Sequence, residues 1–273
     1  MLDKSSREFR FTDQTYLLKD QYQNAAKLTA RAGLHDHFSV NPYRWQRWVF
    51  DQLTLGSGSR ILEVGCGPAM LWLENSDRIP ASWDVSLTDL SAGMLHVAAR
   101  SIATGNDRIT FARVDVQSIP FADSSFDAVI ANHMLYHVLD RPKAFSEVCR
   151  VLNSGGHLYA ATNGSRHMQE LETLIPACVS TSLAPVTIDH FRIENGAEQL
   201  APWFAEVTLH RYEDALAITE AEPLVQYVLS MNAASDISQE SLDELRLFLA
   251  RELARQGTIR ISKDSGLFVA QKA

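Results

Sequence analysis

The chain has no run of lysine or arginine, few cysteines and no long apolar stretch, and each shortage removes a class of function. Its 25 Lys and Arg stand against 33 Asp and Glu, a formal net charge of −8. Nonspecific nucleic-acid binding needs clustered positive charge, so nucleic acid is not expected as a partner. The three cysteines, Cys66, Cys149 and Cys178, are odd in number and irregular in spacing. They form neither a disulfide framework nor a zinc pattern, which points to a reducing compartment. The histidines do not pair with acidic residues at ligand spacing, so no metal site is expected. No segment approaches the run of about 20 apolar residues that a membrane span needs. Met1 to Arg10 is charged and has no apolar core, which predicts no signal peptide. A soluble, cytoplasmic protein without a membrane partner is expected.

What the chain does have is enough apolar residue for a sizeable core: 46% over 273 positions, suiting one large domain or one domain with an insertion. Its organising stretch is Arg60-Ile61-Leu62-Glu63-Val64-Gly65-Cys66-Gly67-Pro68-Ala69. An apolar run, an acidic residue, two glycines and a helix-compatible segment read as strand, tight turn and helix. Gly65 and Gly67 let the backbone approach a ligand closely because neither has a Cβ. The dinucleotide-binding pattern G-x-G-x-x-G fails at its third glycine, where Met70 stands.

From Arg60 onward, strands and helices alternate, the signature of a parallel α/β sheet. Strands are predicted over 61–64, 83–88, 109–114, 126–131 and 157–162. The first four end in Glu63, Asp89, Asp115 and Asn132. In open parallel sheets ligands bind beyond the carboxyl ends of the strands. One polar strand end is common, but an acceptor after every early strand points to a built site.

The glycine turn resembles the first motif of the class I S-adenosylmethionine-dependent methyltransferases, E/D-x-G-x-G-x-G, with Ala69 at the last glycine. Leu87-Thr88-Asp89-Leu90-Ser91, Val114-Asp115-Val116, Phe126-Asp127-Ala128-Val129 and Val151-Leu152-Asn153-Ser154-Gly155-Gly156 are similar to its later motifs. The resemblance covers residues 56 to 163 and is nearest to the small-molecule branch that includes the quinone-biosynthesis methyltransferases. It implies a Rossmann-like seven-stranded, mostly parallel sheet with an antiparallel last strand. It also implies S-adenosylmethionine as cofactor, with S-adenosylhomocysteine as product. The cofactor-contacting positions would be Glu63, Gly65, Gly67, Asp89, Leu90, Met94, Asp115, Val116 and Asn132. Asp89 would accept from the ribose hydroxyls and Asp115 from the adenine amino group, while the Val116 N–H reaches a ring nitrogen.

Residues 1–55 are expected to form an N-terminal helical arm or lid. Residues 56–273 would form the methyltransferase domain, with a helical substrate-covering insertion at about 164–204. In the arm, Tyr16, Tyr22, Arg31, His37 and Phe38 are candidate pocket residues, and Trp45 and Trp48 either pack on the sheet or cover the pocket. In the insertion, Met168, Leu171, Leu174, Ile175, Phe191 and Trp203 form either an apolar wall over the acceptor or a plain core.

Beyond Asn132, His133 is a candidate general base, and His137 either a second one or a loop tie. Tyr136 and Asn163 are candidate acceptor contacts, and His167 and His190 could face the substrate. Asp236 with Gln239 reads as a capping box. Lys263-Asp264-Ser265-Gly266 reads as the turn of a C-terminal hairpin. The expected partner is a small-molecule methyl acceptor, carbon, nitrogen or oxygen, bound by a monomer or homodimer. The alternatives are an RNA or protein methyltransferase and a regulatory protein that holds the cofactor without catalysis. A dinucleotide oxidoreductase fits least, because of Met70.

Overall fold

The computed structural model describes residues 26–102, 107–175, 190–231 and 237–273. A seven-stranded sheet runs in the order β3-β2-β1-β4-β5-β7-β6. The strands are β1 (Arg60–Val64), β2 (Asp84–Asp89), β3 (Ile109–Arg113), β4 (Phe126–Asn132), β5 (Leu152–Asn163), β6 (Glu206–Ile218) and β7 (Ile259–Gln271). The first five pair in parallel. β7 is antiparallel to both β5 and β6, so it alone reverses direction. The expected Rossmann-like architecture is therefore present.

Side-chain alternation fixes the two faces of the central strands. Leu62 and Val64 of β1 join Val129, Ala131, Leu158 and Ala160 on one face. There they pack with Ala144, Phe145 and Val148 of helix α5 (Arg141–Val151). Ile61 takes the other face with Val85, Leu87, Ala128, Ile130 and Tyr159. That face is covered by Val49 and Phe50 of α2 (Trp45–Asp51), Leu71 and Trp72 of α3 (Met70–Leu73) and Ala98 of α4 (Ala92–Ile102). Helix starts follow their caps: Asp140 accepts from the Lys143 amide at 3.0 Å, and Ser91 Oγ from the Met94 amide at 3.2 Å.

The arm is not detached over its described part. Leu34 and Phe38 of α1 (Ala26–Phe38) sit in a third core with Leu216 and Ile218 of β6 and Ile259 and Ile261 of β7. Leu224 and Val228 of α8 (Ala221–Leu229) and Leu245 and Leu249 of α9 (Gln239–Gln256) complete it. Phe38 is thus a core residue rather than a pocket residue.

The predicted C-terminal hairpin is not formed, because β7 is one unbroken strand paired to β6 along its length. The polar run that suggested a turn finds its partners across strands. Lys263 pairs with Asp214, Asp264 with Arg211 at 2.8 Å, and Ser265 donates to Asn163 at 2.7 Å. Gly266 marks a close backbone approach, since a Cβ there would lie 2.9 Å from the His210 carbonyl.

The insertion carries two short helices among its described residues, α6 (Leu171–Leu174) and α7 (Gly196–Leu200). Cys178 lies outside the described residues, as does Asp236, and α9 is capped by Ser238, which accepts from the Ser241 amide at 3.1 Å. Met168, Leu171 and Ile175 pack in the third core, with Leu174 against it. Phe191 is fully buried between Phe145 and Phe268, and Trp203 packs against the α5 core. Four of these six residues, Met168, Leu171, Ile175 and Phe191, are buried core, and Leu174 and Trp203 pack against it.

Candidate active site

The chain reverses sharply after β1. Gly65, Gly67 and Ala69 all take left-handed backbone, with φ of +70°, +55° and +62°. Gly65 has no alternative, because a Cβ there would come within 2.8 Å of Met134 Cβ. Ala69 stands where the resembling motif has its last glycine, and it holds a conformation that costs a residue with a Cβ roughly 1 kcal/mol.

Asp89 at the end of β2 organises this turn. Its Oδ2 accepts from the Gly67 amide at 2.9 Å and its Oδ1 from the Ser91 amide at 2.7 Å. Burial pushes its carboxyl above the ordinary aspartate value, while the Ser91, Gly67 and Leu90 amides pull it back. Leu90 follows at the edge of the site, its carbonyl bound by Arg113 Nε at 2.8 Å, and Met94 is buried beneath it. Beyond β3, Asp115 is half-buried and accepts from the Gln117 amide at 2.9 Å, with Val116 buried beside it. Asp89, Asp115 and the glycine turn thus converge at the carboxyl ends of β1, β2 and β3.

Glu63 does not join them at the open face. It is on the inner face of β1, where its Oε2 takes the Trp72 indole N–H at 2.5 Å. Burial pushes its carboxyl up to about 8, against the pull of Trp72. Its place in the sequence pattern is that of a ligand acceptor, but its geometry is that of a buried support for α3.

β4 delivers the other half of the site. Asn132 is clasped by α2: its Nδ2 donates to Gln46 Oε1 at 3.2 Å and its Oδ1 accepts from Trp45 Nε1 at 3.4 Å. His133 follows in left-handed backbone, φ +55°, with its amide on the Ala161 carbonyl of β5 at 3.2 Å. Such a conformation is uncommon for a residue with a Cβ, histidine being among those that adopt it more readily. The Trp45 ring lies 5.0 Å from the imidazole. Trp45 and Trp48 pack against the core on this face of the sheet, and Trp45 also reaches His133. Burial, reinforced by Lys263, lowers the His133 pKa to about 4.

Around His133 stands a group of which the sequence pattern named His167 and Asn163 but not His35 or Lys263. His35 of α1 and His167 stack at 5.9 Å, and Lys263 of β7 presses both imidazoles towards the neutral form. Lys263 is held by Asp214, its direct partner across the β6–β7 register. Asn163 reaches the same place through Ser265, whose Oγ also lies 3.5 Å from His167 Nδ1. Reading β7 as a single strand would have exposed the Asp214–Lys263 pair, whereas nothing in the sequence marks His35.

Other candidates fall elsewhere. His37 is exposed on the surface, 4.0 Å from Glu220, away from the site. His190 is buried, its carbonyl bound by Asn195 at 2.8 Å. Tyr136 and His137 form a short 3₁₀ turn with rings 4.5 Å apart, and the His137 amide ties back to the Met134 carbonyl at 2.9 Å. Arg31 is half-buried on α1, and its charge reaches both His35 and Tyr227. Tyr16 and Tyr22 lie outside the described residues. Among the described residues, no group of three or more His, Cys, Asp or Glu is arranged to hold a metal, and no helix is long and apolar enough to cross a membrane.

Comparison with known proteins is consistent with this geometry. The chain is 31% identical over 128 residues to the ubiquinone/menaquinone biosynthesis C-methyltransferase UbiE of Hahella chejuensis, covering 46% of this chain and 51% of that one. It is 37% identical over 118 residues to the demethylmenaquinone methyltransferase of Renibacterium salmoninarum, covering 43% and 47%. The chain thus spans about half the length of these relatives. Among solved structures, phosphoethanolamine N-methyltransferase 2 of Haemonchus contortus, bound to S-adenosyl-L-methionine, shares the fold at TM-score 0.59 and 18% identity. That match covers 96% of this chain and 60% of that one. The [4+2]-cyclase SpnF shares it at TM-score 0.57 and 19% identity, covering 95% and 94%. The strand ends and glycine turn described above fall within residues 62–160, and those residues match the family described as a methyltransferase domain.

Proposed function

We propose that this chain is an S-adenosylmethionine-dependent methyltransferase acting on a small molecule. The observation that carries the proposal is the pair of carboxylates, Asp89 and Asp115, at successive strand ends beside the left-handed Gly65–Ala69 turn. The donor set fits the cofactor. Asp89 would offer its carboxylate to the ribose hydroxyls, Asp115 and the Val116 amide would hold the adenine, and the glycine turn with Asn132 would receive the amino-acid end. Glu63 supports the turn from below through Trp72.

When bound, the cofactor supplies a methyl group activated by a positive sulfur. The chain's residues then have three tasks: to bind, to align the acceptor in line with the methyl, and to exclude water. Trp45, Trp48 and Tyr212, with ring centroids 5.2–5.3 Å apart, shield one side. For a hydroxyl acceptor, the neutral imidazole of His133 would take the proton that the acceptor loses on methylation. His137 serves as a loop tie. The described part of the arm, residues 26–55, borders the site through Trp45, and the chain acts as a monomer or homodimer in the cytoplasm, where the buried thiol of Cys66 stays reduced.

The name of SpnF shows that this fold also serves a cyclisation, so a cofactor-holding protein with other chemistry is the second reading. The two separate when methyl-labelled cofactor is incubated with the protein and a panel of small phenols, acids and amines. Label moving into a small molecule is expected. Label moving only into protein or RNA, or into nothing while the cofactor is bound, contradicts the proposal.

A further inference from the structure

We infer that His35, His167 and Lys263 form the acceptor-binding end of this site, and that the acceptor is an aromatic small molecule carrying a carboxylate or phosphate, held with its reacting atom towards His133. The inference rests on the cofactor reading above and names the substrate class of the same site.

The charges around these groups are unevenly committed. The carboxylate is Asp214, and it is saturated: Ser39 Oγ donates at 2.5 Å, the Asn41 amide at 3.0 Å, the Ala215 amide at 2.8 Å, and Lys263 Nζ as well. It has little left for a ligand. Lys263 has three N–H donors, and Asp214 is its one hydrogen-bond partner among the described residues. The ammonium also lies 5.6 Å from the centre of the Tyr212 ring. Arg31 adds a second positive charge within electrostatic reach of His35.

Three imidazoles share this space. His35 Nδ1 is shut off from solvent and has no hydrogen-bond partner among the described residues. A buried polar atom left in that state carries a desolvation cost that a ligand would offset. His167 Nδ1 takes the Asp264 amide at 3.3 Å, which leaves its Nε2 as the N–H donor. Neutral imidazoles and an under-used ammonium, with the carboxylate spent, make a donor-rich site short of an acceptor. An anionic oxygen supplies it. His35, His133, His167 and Lys263 all keep some accessible surface, although Leu34, Phe38, Tyr212 and Ser265 around them are buried.

The body of the acceptor follows from its wall. Trp45 lies 5.0 Å from His133 and 5.2 Å from Tyr212, and Trp48 5.3 Å from Tyr212. A planar ring matches that aromatic surface, with its charged end at Lys263 and its reacting atom near the imidazole of His133.

The test is calorimetric titration of the full chain, saturated with S-adenosylhomocysteine, with benzoate, phenyl phosphate and uncharged benzamide. At least one anion should bind roughly tenfold more tightly than benzamide, the ratio one charge-assisted hydrogen bond supplies. Benzoate against phenyl phosphate tells which anion is preferred. Lys263→Met should abolish the preference while S-adenosylhomocysteine still binds. If Lys263→Met does not fold, His35→Asn replaces it and should weaken the anion several-fold with the product affinity unchanged. Normal product binding with no anion saturating at millimolar concentration, or with benzamide equal to the anions, overturns the inference alone. So does an anion affinity untouched by either variant. Failure of S-adenosylhomocysteine to bind the unaltered protein overturns the cofactor reading instead.

Discussion

Replacing Asp89 by alanine is expected to weaken S-adenosylmethionine binding by roughly 100-fold or more. Hydrogen bonds to a charged group are worth about 1.5–3 kcal/mol each. Two ribose hydroxyls lost together therefore amount to about 3 kcal/mol or more, or two decades in affinity. The side chain also holds the Gly67 and Ser91 amides. Removing it leaves both N–H groups without their acceptor and loosens the turn that must receive the cofactor. Asp89→Asn keeps one carbonyl acceptor and the shape, so its loss should be smaller. Titration calorimetry reads the affinities and circular dichroism checks the fold. Binding unchanged in Asp89→Ala removes this residue from the site.

His133→Gln is expected to lower kcat on a hydroxyl acceptor by roughly 10²–10⁴-fold, the range for a lost general base, with cofactor affinity little changed. The pH profile carries a second signature. Burial and Lys263 place the imidazole pKa at about 4, so the base is neutral and competent at all higher pH. Its limb in kcat/KM should appear as pH falls through about 4, not near 6.5, and should vanish in the glutamine variant; an acceptor already bound shifts only the limb in kcat. An anionic acceptor beside Lys263 would move that limb upward.

The same group affects stability. His35, held at about 3, and His133, at about 4, bind fewer protons folded than unfolded. Their contribution is fully present above about 6.5 and is lost as pH falls through the two depressed values. A kcat/KM limb that stays near 6.5 shows a solvated imidazole in the free protein and removes His133 from the role.

The parallel half of the fold was legible in the sequence because β1 to β5 each carry a short apolar run closed by a polar residue. Asp89, Asp115 and Asn132 were readable as strand ends for the same reason. Glu63 matched the motif but is directed to Trp72, because the alternation that buries Leu62 and Val64 on one face places residue 63 on the other. The C-terminal half was less legible. Lys263 to Gly266 has the composition of a turn, and only the facing strand shows why it is not one: Asp214 and Arg211 pair with Lys263 and Asp264. His37 and Phe38 were drawn to the pocket by their position in the arm. The helix turns His35 towards the site instead, while Phe38 enters the core and His37 meets solvent.

The measurement that tests the account most directly is a side-by-side titration of the purified chain with S-adenosylmethionine, S-adenosylhomocysteine and NADH. Saturable binding of the first two and none of the third is expected, because Met70 stands where a dinucleotide turn needs its last glycine. Binding of NADH alone would contradict it, and would assign Asp89 and the Gly65–Ala69 turn to a different ligand.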